Sequence, residues 1–430
     1  INIIAPLSWS KNKLTLSAYR NINIKSTLSA TGTSSLDMTS GTGGSGSIDY
    51  GLTASGFAGK VNFDRSGSGF LTINGSGYNV INSLAELKGF QINNNGVRYY
   101  LGTDLDASAT VSTPVGSSAS NSFRGVFDGG GHTISNLTSN QAGQENNGLF
   151  GYTDGAIIAN LGMTGGSVTG TGTVGSLVGY MKEGSITNSY NTGDVANSNA
   201  SGDVYVGGLV GHMNEGSITN SYNAGNVSVS NTNATANTYS GGLIGYNEGG
   251  NNSSISRITN SYNAGSITIF SANQTNNVGG LAGYMWDYTS ISNSYNTGSV
   301  TATSTNGTAT TYAGGLMGYM YNGNANITNS YNTGSITAQG TSGTTYVGGL
   351  AGINKYRITN SYNTGSVTAA GTSATAYVGG LAGSSASNIS SITNSYNTGS
   401  VTAAGASRSY MGGWPGSNIG SRGGSYWAAI

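Results

Sequence analysis

The chain has 430 residues, of which 15 are basic and 15 acidic, so its formal net charge is zero. Only 7% of the residues are charged, 73 are glycine and none is cysteine. A neutral chain cannot bind nucleic acid by neutralising phosphates, and without cysteine it has neither disulfides nor thiolate ligands. No apolar run reaches the roughly 18 residues that a membrane-spanning helix needs.

Residues 1–146 predict irregular β-helix coils with small decorations. Segments 14–16, 22–24 and 70–73 alternate apolar and polar residues as strands do, and Gly, Ser and Thr lie between them. Residues 79–87 are compatible with a short helical turn at the side of the coils. The chain begins at Ile1, with neither a start methionine nor a signal peptide, so we expect a segment of a longer protein.

Residues 147–413 contain a repeat with two parts. The first part reads Ile-Thr-Asn-Ser-Tyr-Asn-x-Gly, and the second reads Gly-Gly-Leu-x-Gly-Tyr. The tyrosines of the first part recur every 31 to 40 residues, at Tyr190, Tyr222, Tyr262, Tyr295, Tyr331, Tyr362 and Tyr396. A fixed period of this length is typical of stacked supersecondary units. Residues 414–430 would form a cap or begin the next segment.

The repeat predicts β-structure. Gly, Asn, Ser and Thr disfavour helix interiors, whereas the apolar residues alternate in runs of four to seven, as in strands. Three short strands per repeat would form one coil of a parallel β-helix, stacked ~4.8 Å above the previous coil. About eight such coils and the irregular ones before them would form a rod longer than ~60 Å. The insertions of variable length are confined to one corner, as a solenoid allows.

Equivalent positions of successive coils should form columns. We expect three inward columns, made by the tyrosines above, by the leucines Leu209, Leu243, Leu281, Leu316, Leu350 and Leu381, and by the isoleucines Ile186, Ile218, Ile258, Ile291, Ile327, Ile358 and Ile392. A ladder of amides should run through Asn188, Asn220, Asn260, Asn293, Asn329, Asn360 and Asn394. The alternative for the tyrosines is an outward platform on which sugars stack.

The two repeat parts resemble the GLUG-motif repeat of bacterial surface proteins. Segments 3–10, 14–18 and 21–24 resemble the repeat region of filamentous-haemagglutinin-like exoproteins, which are exported by two-partner secretion. The resemblance covers nearly the whole chain and implies a right-handed β-helix that forms the shaft of a large adhesin. GLUG repeats also accompany immunoglobulin-A metallopeptidases, but the zinc motif His-Glu-x-x-His is absent here.

A polysaccharide lyase or hydrolase on a β-helix is the enzymatic alternative, and it needs clustered carboxylates or a base beside a cation. The best candidate cluster is Asp104, Asp106, Arg124, Asp128 and His132. Asp-Gly turns and corner hydrogen bonds explain these residues equally well. A calcium site at Asp104, Asp106 and Asp128 is a further possibility, because carboxylate oxygens suit Ca²⁺.

The other candidates are isolated. Glu183 and Glu215 occupy equivalent turns one coil apart, and His212 replaces a tyrosine of the second repeat part. An ice-binding solenoid would need two aligned threonines per coil, but Thr301-Ala302-Thr303 has only one threonine that recurs in later coils. We therefore expect no catalytic, cofactor or metal site.

The predicted fold is all-β, a right-handed parallel β-helix with three short strands per coil. The predicted function is that of a structural and adhesive shaft at the bacterial cell surface, without enzymatic activity. Its expected partners are host-cell glycans or surface proteins and, during export, an outer-membrane transporter, while the chain itself is a monomer. Recognition is expected on the loops 197–203, 230–238, 271–277 and 303–311.

Overall fold

The computed structural model describes residues 1–430 except 91, 109–112, 141–142, 199–201, 251–254, 322–323, 342, 373–374, 388–389, 413–416, 419–420 and 423–430. The predicted C-terminal cap at 414–430 therefore lies almost wholly outside the described residues.

Residues 1–78, the N-terminal unit, form three coils with three strands each. Its first sheet contains Asn2–Ile3, Ile22–Ile24 and Ile48–Asp49, all parallel. Its second sheet contains Leu7–Trp9, Thr27–Ala30 and Lys60–Phe63, also parallel. Its third sheet contains Lys13–Ser17, Ser35–Thr39, Leu71–Ile73 and the antiparallel Ser76–Gly77.

Two decorations leave these coils. A hairpin of Leu52–Thr53 and Gly56–Phe57 interrupts the third coil. The helix α1, Leu84–Lys88, confirms the helical turn predicted from the sequence. It begins with a capping box, because the Ser83 hydroxyl accepts from the Glu86 N–H and the Glu86 carboxylate accepts from the Asn82 N–H.

From Asn79 onward the chain winds through five long sheets, all parallel, which we number in the order in which a coil visits them. Sheet one contains Asn79–Ile81, Arg98–Leu101, Val126–Asp128, Ile157–Ala159, Ser185–Thr187, Ser217–Thr219, Ser256–Thr259, Thr289–Ser292, Asn326–Thr328, Arg357–Thr359, Ser391–Thr393 and Ser421–Arg422. Sheet two contains Leu105–Asp106, Thr133–Ser135, Gly162–Thr164, Tyr190–Asn191, Tyr222–Asn223, Tyr262–Asn263, Tyr295–Asn296, Tyr331–Asn332, Tyr362–Asn363 and Tyr396–Asn397.

The remaining three sheets complete each coil. Sheet three contains Thr138–Asn140, Ser167–Gly170, Asp194–Ser198, Val227–Asn231, Ile267–Ser271, Val300–Ser304, Ile336–Gly340, Val367–Gly371 and Val401–Ala403. Sheet four contains Asn146–Asn147, Thr173–Gly175, Val204–Gly207, Asn237–Gly241, Thr275–Gly279, Thr310–Gly314, Thr344–Gly348, Thr375–Gly379 and Arg408–Gly412. Sheet five contains Phe150–Asp154, Val178–Lys182, Val210–Asn214, Ile244–Glu248, Ala282–Met285, Met317–Met320, Ala351–Asn354, Ala382–Ser385 and Ser417–Asn418.

The parallel β-helix is confirmed, but three strands per coil is correct only for the N-terminal unit. Each repeat coil has five strands. The segment Ile-Thr-Asn-Ser-Tyr-Asn, which the sequence suggested was a single strand, is divided between sheets one and two. Asn188 and its equivalents have a positive φ of about 50° there, and a left-handed residue ends a strand. The handedness of the winding stays a prediction.

The isoleucine and leucine columns lie inside, as predicted. Ile327 and Leu316 are fully buried, and their equivalents stack in register through the coils. One continuous apolar cluster extends from Ile81 to Ile392. Since each coil buries its apolar face only against its neighbours, stability comes from stacking.

A second interior row is polar. The asparagine after each tyrosine from Tyr190 to Tyr362 is buried, and its amide donates to the carbonyl of the glycine two residues later and to the next asparagine. In Asn296 these two distances are 2.7 and 2.8 Å. We call this row the interior asparagine ladder; it contains Asn191, Asn223, Asn263, Asn296, Asn332, Asn363 and Asn397. The ladder satisfies buried carbonyls that the strand pairing leaves free.

The Gly-Gly pair of the second repeat part has a steric cause. A Cβ on Gly280 would lie 2.0 Å from the carbonyl oxygen of Gly315 and 2.4 Å from the amide carbon of Asn296. The repeat therefore requires glycine where the corner of one coil lies over the next and over the interior asparagine ladder.

The N-terminal unit packs against the first of the five-stranded coils. The Val61 N–H donates to Gly130 and the Phe63 N–H donates to Gly102. The buried hydroxyls of Tyr50 and Tyr100 lie 3.0 Å apart across this contact. Sheet one begins at Asn79, so residues 79–146 share sheets with the repeats. The division of the chain at residues 146 and 413 stays a prediction.

Replacing Ile327 with Asp tests the inward column. An unpaired carboxylate there should lower the free energy of unfolding by about 3–5 kcal/mol or more, because it is buried with no partner. Thr328→Asp, one residue further along at a half-exposed position, is the matched control and should cost much less. Urea unfolding followed by circular dichroism measures both, and equal losses would contradict the inward placement.

Candidate functional site

The tyrosines of the first repeat part point outward, so their prediction as an inward column was wrong. The left-handed asparagine between the isoleucine and the tyrosine turns the chain and reverses the alternation. Tyr262 is half-buried, and Tyr396 is 44% exposed. Only Tyr190 and Tyr222 are buried, at 4% and 2% exposure, because the N-terminal hairpin covers them.

These rings form a continuous stack that we call the tyrosine row. It consists of Tyr190, Tyr222, Tyr262, Tyr295, Tyr331, Tyr362 and Tyr396, with neighbouring ring centroids 4.8 to 5.2 Å apart and ring planes within 10° of parallel. Each ring lies against its neighbours in the row, and Tyr262, Tyr295, Tyr331 and Tyr362 are half-exposed.

Several hydroxyls of the row have a raised pKa. Burial, together with the neighbouring Tyr295, raises the pKa of Tyr262 to about 12. Burial likewise raises the pKa of Tyr295 and Tyr331. Tyr262, Tyr295 and Tyr331 therefore present neutral hydroxyl groups across the physiological pH range.

Two uncharged rows accompany the tyrosines. The last residue of each sheet-one strand points outward beside the corner and is a half-exposed hydroxyl, namely Thr187, Thr219, Thr259, Ser292, Thr328, Thr359 and Thr393. Between them and the tyrosines lie the left-handed asparagines of the predicted amide ladder, which we call the corner asparagines. That ladder is only partly formed, by Asn188 donating to Asn160, Asn329 to Asn293 and Asn360 to Asn329.

A cleft of about 720 Å³ lies between the N-terminal unit and the tyrosine row. We call it the N-terminal cleft. Its lining residues are Asn21, Asn23, Ser47, Ile48, Asp49, Leu52, Thr53, Ala54, Thr187, Asn188, Asn220, Tyr222, Asn260, Tyr262 and Tyr295. Two contacts close one end, namely the Tyr222 hydroxyl donating to the Ala54 carbonyl at 3.2 Å and the Phe57 ring against Tyr190.

A second aromatic surface lies on sheets four and five. Tyr205, Tyr239, Tyr312, Tyr346, Tyr377 and Tyr410 point outward on sheet four, and Tyr152, Tyr180, Tyr246, Tyr284 and Tyr319 do so on sheet five. Rings of the two sheets meet edge to face, as Tyr239 and Tyr246 do. This surface was not predicted from the sequence. The recurring tyrosine of the second repeat part, which lies on sheet five, indicates only the sheet-five half of it.

The predicted cluster around Asp104 is not one site. Asp104 accepts from the ring Nδ1 of the buried His132 at 3.0 Å and from Lys60 at 2.5 Å. The His132 Nε2 lies 2.9 Å from the Val61 carbonyl. This polar contact joins the repeat coils to the N-terminal unit.

The other members of that cluster have separate partners. Arg124 pairs with Asp154 at 2.9 Å, while Asp106 accepts from the Ser108 N–H and from the Asn136 amide. The buried Asp128 accepts at one oxygen from the Gly130 N–H and from the Asn160 amide.

The pKa values of Asp128, which is buried, and Asp104, which is exposed, shift in opposite directions. Burial raises the pKa of Asp128, and its hydrogen bonds only partly offset this effect. The resulting pKa is about 6. Burial would also raise the pKa of Asp104, but hydrogen bonds from His132 and Lys60 hold it well below its usual value.

The isolated candidate residues of the sequence analysis lie at corners of the coils or in rows of stacked side chains. Glu183 and Glu215 both have positive φ at equivalent corners. His212 lies between Tyr180 and Tyr246, with its ring tilted by 49° and 60° to theirs, and its Nε2 atom is 3.4 Å from a Glu248 carboxylate oxygen. In sheet three, Thr301 pairs in register with Thr268 and Thr337, whereas the next outward position carries different residues, so one threonine per coil aligns, as the sequence indicated.

Among the described residues, no three His, Asp or Glu side chains are grouped so that they could hold a metal ion. The helices described here include none that is long and apolar enough to cross a membrane.

The family model of the GLUG motif matches residues 202–228, 236–268, 274–301, 343–368 and 374–402. The chain therefore contains GLUG-motif repeats. Halomucin of Haloquadratum walsbyi is 37% identical over 114 residues, which are 23% of this chain and 1% of halomucin. A solved structure described as a candidate immunoglobulin A1 protease from Bacteroides ovatus is 20% identical, with a TM-score of 0.45 over 61% of this chain and 77% of that one.

Replacing Asp128 with Asn tests the buried carboxyl. Because its folded pKa of about 6 exceeds the ordinary aspartate value of 3.8, the folded chain binds more protons than the unfolded chain between these values, and stability should fall as pH rises through that window. The Asn oxygen keeps both hydrogen bonds without a charge, so the variant should gain about 2–3 kcal/mol at pH 7. It should lose the pH dependence that Asp128 contributes.

Urea unfolding of wild type and variant at about pH 4.5 and pH 7 measures this difference. A variant less stable than wild type at pH 7 would show that the carboxylate is needed in its charged form.

Proposed function

We propose that this chain is a structural and adhesive shaft of a repetitive surface protein, and that it attaches to glycans through the tyrosine row and the uncharged rows beside it. The observation that carries the proposal is the row itself, which repeats aromatic rings and neutral hydroxyls at 4.8 to 5.2 Å along the coils. Sugars have apolar C–H faces that pack on aromatic rings, and hydroxyls that need neutral donors and acceptors.

The location and partners belong to the same proposal. The GLUG-motif repeats and the similarity to a short part of halomucin support a repetitive protein that acts outside the cell. We propose attachment to glycans or surface proteins of host or neighbouring cells, with export through an outer-membrane transporter of the two-partner type. The chain would act as a monomer without catalytic activity, since its acidic candidates are committed to separate hydrogen bonds.

The variable loops are a second contact surface. Segments 230–238, 271–277 and 303–311 each run from the end of a sheet-three strand to the start of a sheet-four strand, on a different side of the coil from the tyrosine row. Stacked loops of Asn, Thr and Ser would present further neutral groups to the same partners. Shortening the connections 232–236 and 305–309 to the length of 272–274 should leave the fold intact, because these connections lie outside the strands.

A glycan array followed by titration of the best glycan tests the tyrosine row. Tyr262→Ala, Tyr295→Ala and Tyr331→Ala combined should weaken binding at least about tenfold, because each ring contributes roughly 0.5–1.5 kcal/mol. Tyr346→Ala with Tyr377→Ala, on sheet four, is the matched control and should change little.

Affinity should also be nearly independent of salt, since the contact groups are neutral. Binding that survives the triple change but disappears when the loops are shortened would move the contact to the loops. A wild type that binds neither arrayed glycans nor cells would contradict the proposal.

A further inference from the structure

The hydrogen bonds among the corner asparagines are interrupted beside the N-terminal cleft. Asn188, at one end of the cleft, donates to Asn160, and Asn329 donates to Asn293 beyond the cleft. Between them, Asn220 and Asn260 have no side-chain hydrogen bond to any described residue, and both are exposed. Both line the cleft. Two adjacent free amides therefore face the N-terminal unit.

The rest of the cleft is chemically uniform. Its floor is made by Tyr222, Tyr262 and Tyr295, and its roof by the hairpin residues Thr53 and Ala54. The one charged residue in its lining, Asp49, is paired with Lys25 at 2.7 Å. The cleft thus combines aromatic rings with neutral amides and has a volume of the size that small ligands occupy.

We infer that the N-terminal cleft binds the end of an uncharged, linear glycan whose chain then lies along the tyrosine row. The inference rests on the proposed function and specifies its ligand. In an extended β-1,4-linked chain, one sugar advances about as far as one coil, so successive sugars meet equivalent tyrosines. The asparagines Asn220 and Asn260 supply donors and acceptors for ring hydroxyls or N-acetyl groups.

The hairpin makes the site directional. Tyr190 and Tyr222 are buried beneath it, so a chain cannot continue along the row in that direction. In the opposite direction Tyr295, Tyr331 and Tyr362 stay half-exposed. The glycan therefore has one terminus under the hairpin and the rest of its length on the open row.

Calorimetric titration with cello-oligosaccharides and chito-oligosaccharides of increasing length tests this site on the full chain. Affinity should rise with length as more of the row is covered. Asn220→Gly with Asn260→Gly should weaken binding about tenfold or more, since it removes both free amides, and glycine accepts the positive φ of these corners. The matched control is Glu183→Gly with Glu215→Gly, at positive-φ corners between sheets five and one and away from the tyrosine row, which should bind like wild type.

A second variant, Ala54→Trp, fills the cleft from the hairpin and should also abolish binding of short oligosaccharides. If glycans bind but both cleft variants retain wild-type affinity, the cleft inference is wrong while the proposed function stands. If the cleft and control variants lose affinity equally, the cleft is again not the site. If no glycan binds to wild type on the array or in titration, both proposals fail.

Discussion

In-register parallel pairing of the coils governs the rest of this structure. Because Tyr295 pairs with Tyr331 and Asn296 with Asn332, each side chain stacks on its own equivalent about one strand spacing away. A charge repeated in this way would face a like charge at about 5 Å, which costs roughly 1 kcal/mol per pair in water and several times more near protein. The low charge content of 7% follows from this constraint. Apolar side chains, amides, hydroxyls and aromatic rings all stack without that cost.

The same pairing explains what the sequence could predict. Ile327 and Leu316 recur with a period and a parity that place them inside, and both are buried. The period and the strand character therefore predicted the parallel β-helix, the interior columns and the alignment of one threonine per coil.

The features that could not be predicted from the sequence depend on single backbone conformations and on contacts between distant segments. One left-handed asparagine, such as Asn188, reverses the parity after it, so Tyr190 points outward and Asn191 forms the interior ladder. The Asn-x-Gly segment after each tyrosine forms that ladder, but the same residues are also typical of a turn, so the sequence does not distinguish the two structures. The N-terminal cleft joins residues 21–54 to residues 187–295, and no local pattern indicates that contact.

Functionally, the solenoid separates stability from display. The interior columns and ladders hold adjacent coils together, whereas the outward rows carry neutral hydroxyls, amides and rings that the coils bring into line. The N-terminal unit closes one end of the tyrosine row, which the uniform repeat would leave open. Its hairpin covers Tyr190 and Tyr222 and converts one stretch of a periodic surface into an enclosed cleft.

Removal of one whole coil tests this account most directly. Deleting residues 332–362 joins Tyr331 to Asn363, which is the equivalent of Asn332 in the next coil. The account predicts a folded chain with unchanged strand content by circular dichroism, cooperative unfolding in urea and a free energy of unfolding reduced by the loss of one coil. Loss of the folded state, or exposure of the interior to a hydrophobic dye, would show that the coils are not interchangeable stacking units and would contradict the account.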